Sequence, residues 1–107
     1  IRPCILWNDG RTQKQVEYLN NVIGKENLSK YTANIAFAGF TAPKLLWMRD
    51  TEPENFTKIS KIMLPKDYIN YKLTGVHCTD YSDASGMLLA GCAAQVLEQR
   101  NAGYLRR

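Results

Sequence analysis

The chain has 107 residues, enough for one small domain with a modest core and too few for two. Its 45% hydrophobic and 22% charged content is that of a soluble globular protein; no apolar run approaches a membrane span, and nothing at the start reads as a signal peptide. The net charge of +4 raises nucleic-acid binding, but half of it comes from the tail 90–107, where Arg100, Arg106 and Arg107 stand against Glu98. The other lysines are scattered and not interleaved with aromatics, so the reading is no nucleic acid and no membrane.

Along the chain, residues 3–7 form a short apolar run that reads as a buried strand, ended by the turn chemistry of Asn8-Asp9-Gly10. Thr12 is placed to cap a helix over 13–23, with Val16, Leu19, Val22 and Ile23 on one face and Gly24 as its stop. Residues 27–39 read as a turn of helix around Leu28 and Tyr31, then a loop. Thr41 caps the next helix, which carries Pro43 in its first turn and the apolar Leu45, Leu46, Trp47 and Met48. Pro53 opens a short helix with Phe56 and Ile59, and 61–64 reads as a second buried strand. Pro65 starts a helix through Tyr68, Ile69 and Leu73 that Gly75 closes; 79–86 is a turn-rich connector, and Met87-Leu88-Leu89 begins a third strand. Alternating strands and helices give an α/β unit whose sheet is incomplete within this chain.

Cys4, Cys78 and Cys92 are odd in number and widely spaced, with no Cys-x-x-Cys, which argues against a metal site and a disulfide framework. Reduced, mostly buried thiols and a cytoplasmic location are expected, Cys4 lying in the first strand as core. His77 is the only histidine, so no Ser-His-Asp set can be assembled around a second base, and it reads as a loop residue. No glycine-rich phosphate loop is present.

Asn8-Asp9-Gly10-Arg11 stands at the carboxyl end of the first expected strand, where open α/β sheets place ligand contacts. Asn and Asp there can bond sugar hydroxyls, with Arg11 orienting the carboxylate; equally, Asp9 can cap the helix that follows. Lys44 and Trp47 share a helix face, and a lysine stem packed on a core tryptophan is the simpler account of the pair. The segment TDYSDASG at 79–86 holds two carboxylates, Asp80 and Asp83; a self-bonded turn is preferred over a general-base pair.

Four runs in order, ILWNDGR within 1–11, GFTAPKLLWMRD at 39–50, KIMLPKDYINYKLTG at 61–75 and TDYSDASGM at 79–87, resemble the FGGY family of carbohydrate kinases, most of all its members that phosphorylate D-xylulose. The pattern Gly39-x-Thr41-x-x-Lys44-Leu45-x-Trp47-Met48 is close to a family signature, and only Thr51 departs from it. The resemblance implies a partial actin-like (RNase-H-like) α/β domain, an incomplete sheet with packed helices. It implies a kinase moving the γ-phosphate of ATP, with Mg²⁺, onto D-xylulose to give D-xylulose 5-phosphate, and a homodimer of the full-length enzyme is open. It makes Trp7, Asn8 and Asp9 sugar contacts. Gly39 matches a position that bears a sugar-contacting side chain in some members, and Asp80 and Asp83 belong to a family turn. The phosphate loop, the Met-His-Gly sugar motif and the catalytic aspartate match nothing here, so no catalytic, ATP or metal residue is assigned. The expectation is an internal piece, 1–89, of the sugar-binding domain, inactive alone. The alternative from another class is a non-catalytic sugar-binding or interaction module.

From Ala90 the chain departs from the family pattern. Back-translated with suitable synonymous codons and shifted by one base, the tail can read LDVQHKCWSKEMLDICG, which resembles the family continuation. Residues 90–107 are therefore expected to be a divergent, frameshifted tail.

Overall fold

Val16 and Leu19 are buried, as helical spacing requires, yet Val22 on the same expected face is exposed. The backbone supplies the reason. The computed structural model describes residues 2–89, and its first helix, α1 (Gln13–Glu17), passes into a π-helical segment (Tyr18–Gly24) before α2 (Lys25–Thr32). A π-turn closes over one more residue than an α-turn, so a stripe repeating every 3.6 residues drifts off the core. Gly24, at φ 94°, interrupts the helical backbone, but α2 resumes at once. Thr12 does not cap α1: its hydroxyl, fully buried, donates instead to the Ala38 carbonyl at 3.1 Å.

After α2 the chain turns back through 33–40. Asn20, in the π segment, holds this return by its side chain alone. Its Nδ2 donates to the Ala36 carbonyl and its Oδ1 accepts the Ala36 N–H, both at 3.0 Å, as a neighbouring strand would. Helix α3 (Thr41–Thr51) has Phe40 in the capping position, so Thr41 is its first residue and not its expected cap, and Pro43 lies in the first turn, where its missing N–H costs nothing. Pro53 opens α4 (Pro53–Phe56), and Pro65 opens α5 (Pro65–Thr74), which ends on Gly75 in the left-handed conformation, φ 75°. Asp67 takes the Leu64 N–H at 3.1 Å in the first turn of α5. The 79–86 segment folds as α6 (Tyr81–Gly86), with Asp80 capping it by accepting the Asp83 N–H at 2.9 Å.

Val16, Leu19, Leu28, Ala36, Ala42, Leu45, Leu46, Met87, Leu88 and Leu89 form one buried cluster, so α1, α2, α3 and the 87–89 segment share a core. Two links fasten the far end of the chain to it. The Ala42 N–H donates to the Met87 carbonyl at 3.1 Å. The Ser85 hydroxyl donates to the Thr32 carbonyl and accepts from Asn34 Nδ2 at 2.8 Å.

None of the three expected strands forms among the described residues, and the continuation of the third lies outside them. Among the described residues no strand is present: 3–6 and 59–64 run without ladder partners, and 87–88 is a turn, with Leu88 at φ 59°. A strand exists only through its neighbours' hydrogen bonds, and no such backbone ladder is present among the described residues. With no sheet around it, Cys4 is exposed and not core; Cys78 is exposed as well, and Cys92 lies outside the described residues. The layered sheet of an actin-like domain is therefore not seen in this part of the chain. No helix among the described residues is long and apolar enough to cross a membrane.

Candidate functional site

The run Leu6-Trp7-Asn8-Asp9 closes a turn in which the Asp9 N–H donates to the Leu6 carbonyl at 3.2 Å. Asp9 Oδ1 accepts the Arg11 N–H at 3.0 Å, an Asx turn, and the Arg11 guanidinium donates back through Nε and Nη2, the latter 2.8 Å from Oδ2. The bonds from Arg11, side chain first and backbone second, hold the Asp9 carboxyl below its ordinary range, and Asp9 in turn raises Arg11. Asp9 is thus an oriented, ionised acceptor and a weak base. Of the two roles the sequence left open for Asp9, the helix cap is not made, since its local bond goes to the Arg11 N–H; the Arg11 side chain orients the carboxylate.

Arg11 also lies 4.9 Å from the centre of the Trp47 ring, and Arg2 lies 5.4 Å from the same ring while pairing with Glu52 at 2.8 Å. Trp47 therefore ties the amino-terminal segment to α3 through two guanidinium groups. The Lys44 ammonium sits near Asp9 and Cys4; partial burial lowers its pKa, and those two neighbours only partly offset it.

Trp7 itself is 81% exposed, and Asn8 beside it is exposed with no hydrogen bond on its amide among the described residues. Across from them lies a second turn, closed by the Phe40 N–H donating to the Phe37 carbonyl at 3.0 Å and edged by the Phe37–Phe40 ring contact. The two turns meet at Gly39, where a Cβ would stand 2.6 Å from the Trp7 carbonyl oxygen. The sequence-assigned group Trp7, Asn8 and Asp9 thus occupies one turn. Gly39, Arg2, Arg11, Lys44 and Trp47 come to it from elsewhere in the chain. Arg2, and the role of Trp47 as the ring both arginines share, were not legible in the sequence, since nothing local pairs residue 2 with a helix 45 positions on. An exposed indole beside an oriented carboxylate and a free amide offers an apolar face together with acceptors and donors suited to a polyhydroxylated ligand.

The sequence profile of the FGGY family of carbohydrate kinases, N-terminal domain, matches residues 1–95. The chain belongs to the FGGY family. It is 49% identical over 89 residues to a xylulose kinase of Staphylococcus xylosus, covering 83% of this chain and 18% of that protein. It is 44% identical over 88 residues to a xylulose kinase of Escherichia coli strain K12, covering 82% and 18%. Among solved structures it is similar to the xylulose kinase of Rhodospirillum rubrum (TM-score 0.92, 27% identity, 100% of this chain and 22% of that one). It is also similar to a kinase from Brucella ovis described as a xyloylose kinase (TM-score 0.88, 38% identity, 97% and 21%). The chain therefore spans about a fifth of the length of the relatives it matches.

Kinases of the FGGY family use ATP with a divalent metal, for which the described residues of this chain offer no ligand cluster. No group of three or more His, Cys, Asp or Glu side chains among them could hold a metal ion. The densest acidic group, Asp67, Asp80 and Asp83, is closed on the Lys66 ammonium at 2.7, 2.8 and 3.1 Å. Lys66 is raised well above its ordinary pKa, by Asp67 and Asp80 first, and these aspartates serve the α5–α6 junction, not proton transfer. A cavity of about 120 Å³ between α1 and α3, lined by Lys14, Gln15, Tyr18, Leu46, Arg49 and Asp50, involves none of Trp7, Asn8 or Asp9.

Proposed function

We propose that this FGGY chain is the sugar-facing part of a cytoplasmic kinase that transfers the γ-phosphate of ATP to D-xylulose, giving D-xylulose 5-phosphate. Trp7, Asn8 and Asp9 contact the sugar: the indole lies against its carbon face, and the Asn8 amide and Asp9 carboxylate bond its hydroxyls. The observation that carries this reading is the exposure of Trp7 beside an Asp9 already oriented by Arg11. ATP and Mg²⁺ are held by segments other than these residues, in an actin-like two-domain frame, and the 107-residue chain alone transfers no phosphate.

The test is the gene that surrounds this segment. Its product should phosphorylate D-xylulose with ATP, and Trp7→Ala in that product should raise KM for the sugar more than it lowers kcat. A product with no such activity, or a Trp7→Ala variant with unchanged KM, removes the reading. If instead no kinase sequence flanks the segment and the 107-residue chain binds D-xylulose saturably in calorimetry, the non-catalytic sugar-binding module takes its place.

The tail from Ala90, which lies outside the described residues, belongs to the same proposal. We propose that it is read out of frame. Sequencing the coding DNA should show that a one-base shift restores LDV followed by a tryptophan; a coding strand with no such frame ends the idea.

A further inference from the structure

The torsions at Gly39 are open to any residue, since the described glycines with positive φ are Gly24 and Gly75. What excludes a side chain at Gly39 is a neighbour. A Cβ there would stand 2.6 Å from the Trp7 carbonyl oxygen, and ordinary contact begins at 3.4 Å. Adding one methyl group must therefore part the two turns or push one of them aside.

The turns are not equally free to move. Turn 37–40 is held at both ends. Ala38 accepts the hydroxyl of fully buried Thr12 at 3.1 Å, and Ala42, two residues beyond Phe40, is buried with its N–H on the Met87 carbonyl at 3.1 Å. Turn 6–9 has exposed Leu6 and Trp7 side chains and follows a stretch with no ladder. Its anchor, the Asp9–Arg11 pair, lies after the Trp7–Asn8 peptide and does not fix that peptide's plane. The displacement accordingly falls on Trp7.

We infer that Gly39 is a positioning residue for Trp7. The absent side chain lets turn 37–40 close on the Trp7 carbonyl, and that contact sets the peptide plane from which the exposed indole projects. Gly39 thereby governs sugar specificity without touching the sugar, a consequence that rests on the reading that Trp7 meets the substrate.

The chain holds two tryptophans, Trp7 and Trp47, so labelling with 5-fluorotryptophan gives two ¹⁹F resonances, assigned by a Trp7→Phe variant. Gly39→Ala should move the Trp7 resonance and leave that of Trp47 in place. Gly10→Ala, whose added Cβ meets nothing within 4 Å, should move neither by a comparable amount. In the product of the surrounding gene, Gly39→Ala should raise KM for D-xylulose by about tenfold with a smaller change in kcat, since misplacement of about 1 Å costs up to ~10²-fold. A Trp7 resonance that stays in place in Gly39→Ala overturns the inference. So does a variant that shifts both resonances together to the free-tryptophan position, because the effect is then unfolding. A gene product that phosphorylates D-xylulose but whose KM ignores Gly39→Ala removes the specificity role. One with no activity on D-xylulose refutes the substrate reading instead, and the ¹⁹F shift still decides the positioning claim.

Discussion

The ammonium of Lys66, in the first turn of α5, lies 2.8 Å from the carboxylate of Asp80, the residue that caps α6. Asp67 and Asp83 close on the same ammonium, so one lysine joins two helix starts. Of these groups Asp67 is the buried one, at 4% exposure.

This junction makes stability depend on pH in both directions. Burial works against an ionised Asp67, but the Lys66 ammonium and the Leu64 N–H prevail and lower its pKa; Asp80 is lowered by Lys66 and then by the Asp83 N–H. Their contribution is complete above the ordinary aspartate value of about 3.9 and is lost as pH falls through the lowered values. Lys66 is raised above 10.5, so its contribution is complete below 10.5 and is lost as pH rises through the raised value. Lys66→Met should lower the thermal midpoint near neutral pH and flatten both limbs of its pH profile. A variant with the parent's profile would show that the cluster is solvated and does not couple the helices.

Asn20 stands in for a strand. Asn20→Ala leaves both backbone groups of Ala36, a residue only 1% exposed, without partners, at a cost of about 1–3 kcal/mol in urea unfolding. The Ala36 amide should lose its protection in hydrogen exchange before its neighbours do. Asn20→Asp, which keeps the acceptor for the N–H, should retain part of that protection. Equal exchange in all three proteins would exclude the clamp.

Leu46 and Leu73 test the core assignment as a pair. Leu46, 1% exposed, joins the central cluster, and Leu46→Ala should cost about 2–5 kcal/mol. Leu73, 80% exposed on α5, should change stability by no more than about 0.5 kcal/mol when cut to alanine. Comparable losses at both positions would place the core elsewhere.

Arg11 sets the state of Asp9. Arg11→Met removes the guanidinium but keeps the backbone N–H of residue 11, so the Asp9 carboxyl should titrate higher than in the parent, toward the ordinary aspartate range, in a carbon-13 NMR titration. An unmoved Asp9 would assign its low pKa to Lys44 or to the turn backbone.

Much of the helical part was legible in the sequence, because its signals are local. Pro53, Pro65 and Gly75 begin and end helices where proline lacks only an N–H that has no helical partner and glycine accepts a positive φ. The preference for a bonded turn at Asp80 and Asp83 was also sound, since a carboxylate three residues before an N–H caps it without outside help. Two helix-cap expectations failed: Phe40 and not Thr41 precedes α3, and the Thr12 hydroxyl went to Ala38, 26 residues on, where no local signal points. The face bearing Val22 was turned outward by the π segment, a change in the local backbone repeat.

The sequence by itself determined the FGGY relationship, the helix punctuation and the grouping of Trp7, Asn8 and Asp9, since all three are written in runs of neighbouring residues. Only the tertiary structure decided which of those groups are free. It tied Asp9 to Arg11, left Trp7 exposed, and brought Gly39 against the Trp7 carbonyl. It also decided that the three apolar runs form no strand among the described residues, because a strand is a property of a pair of segments and one run contains only half of it. The approach of Gly39 to Trp7 joins positions 32 apart, and no periodicity or local motif encodes a contact made by closing the chain on itself.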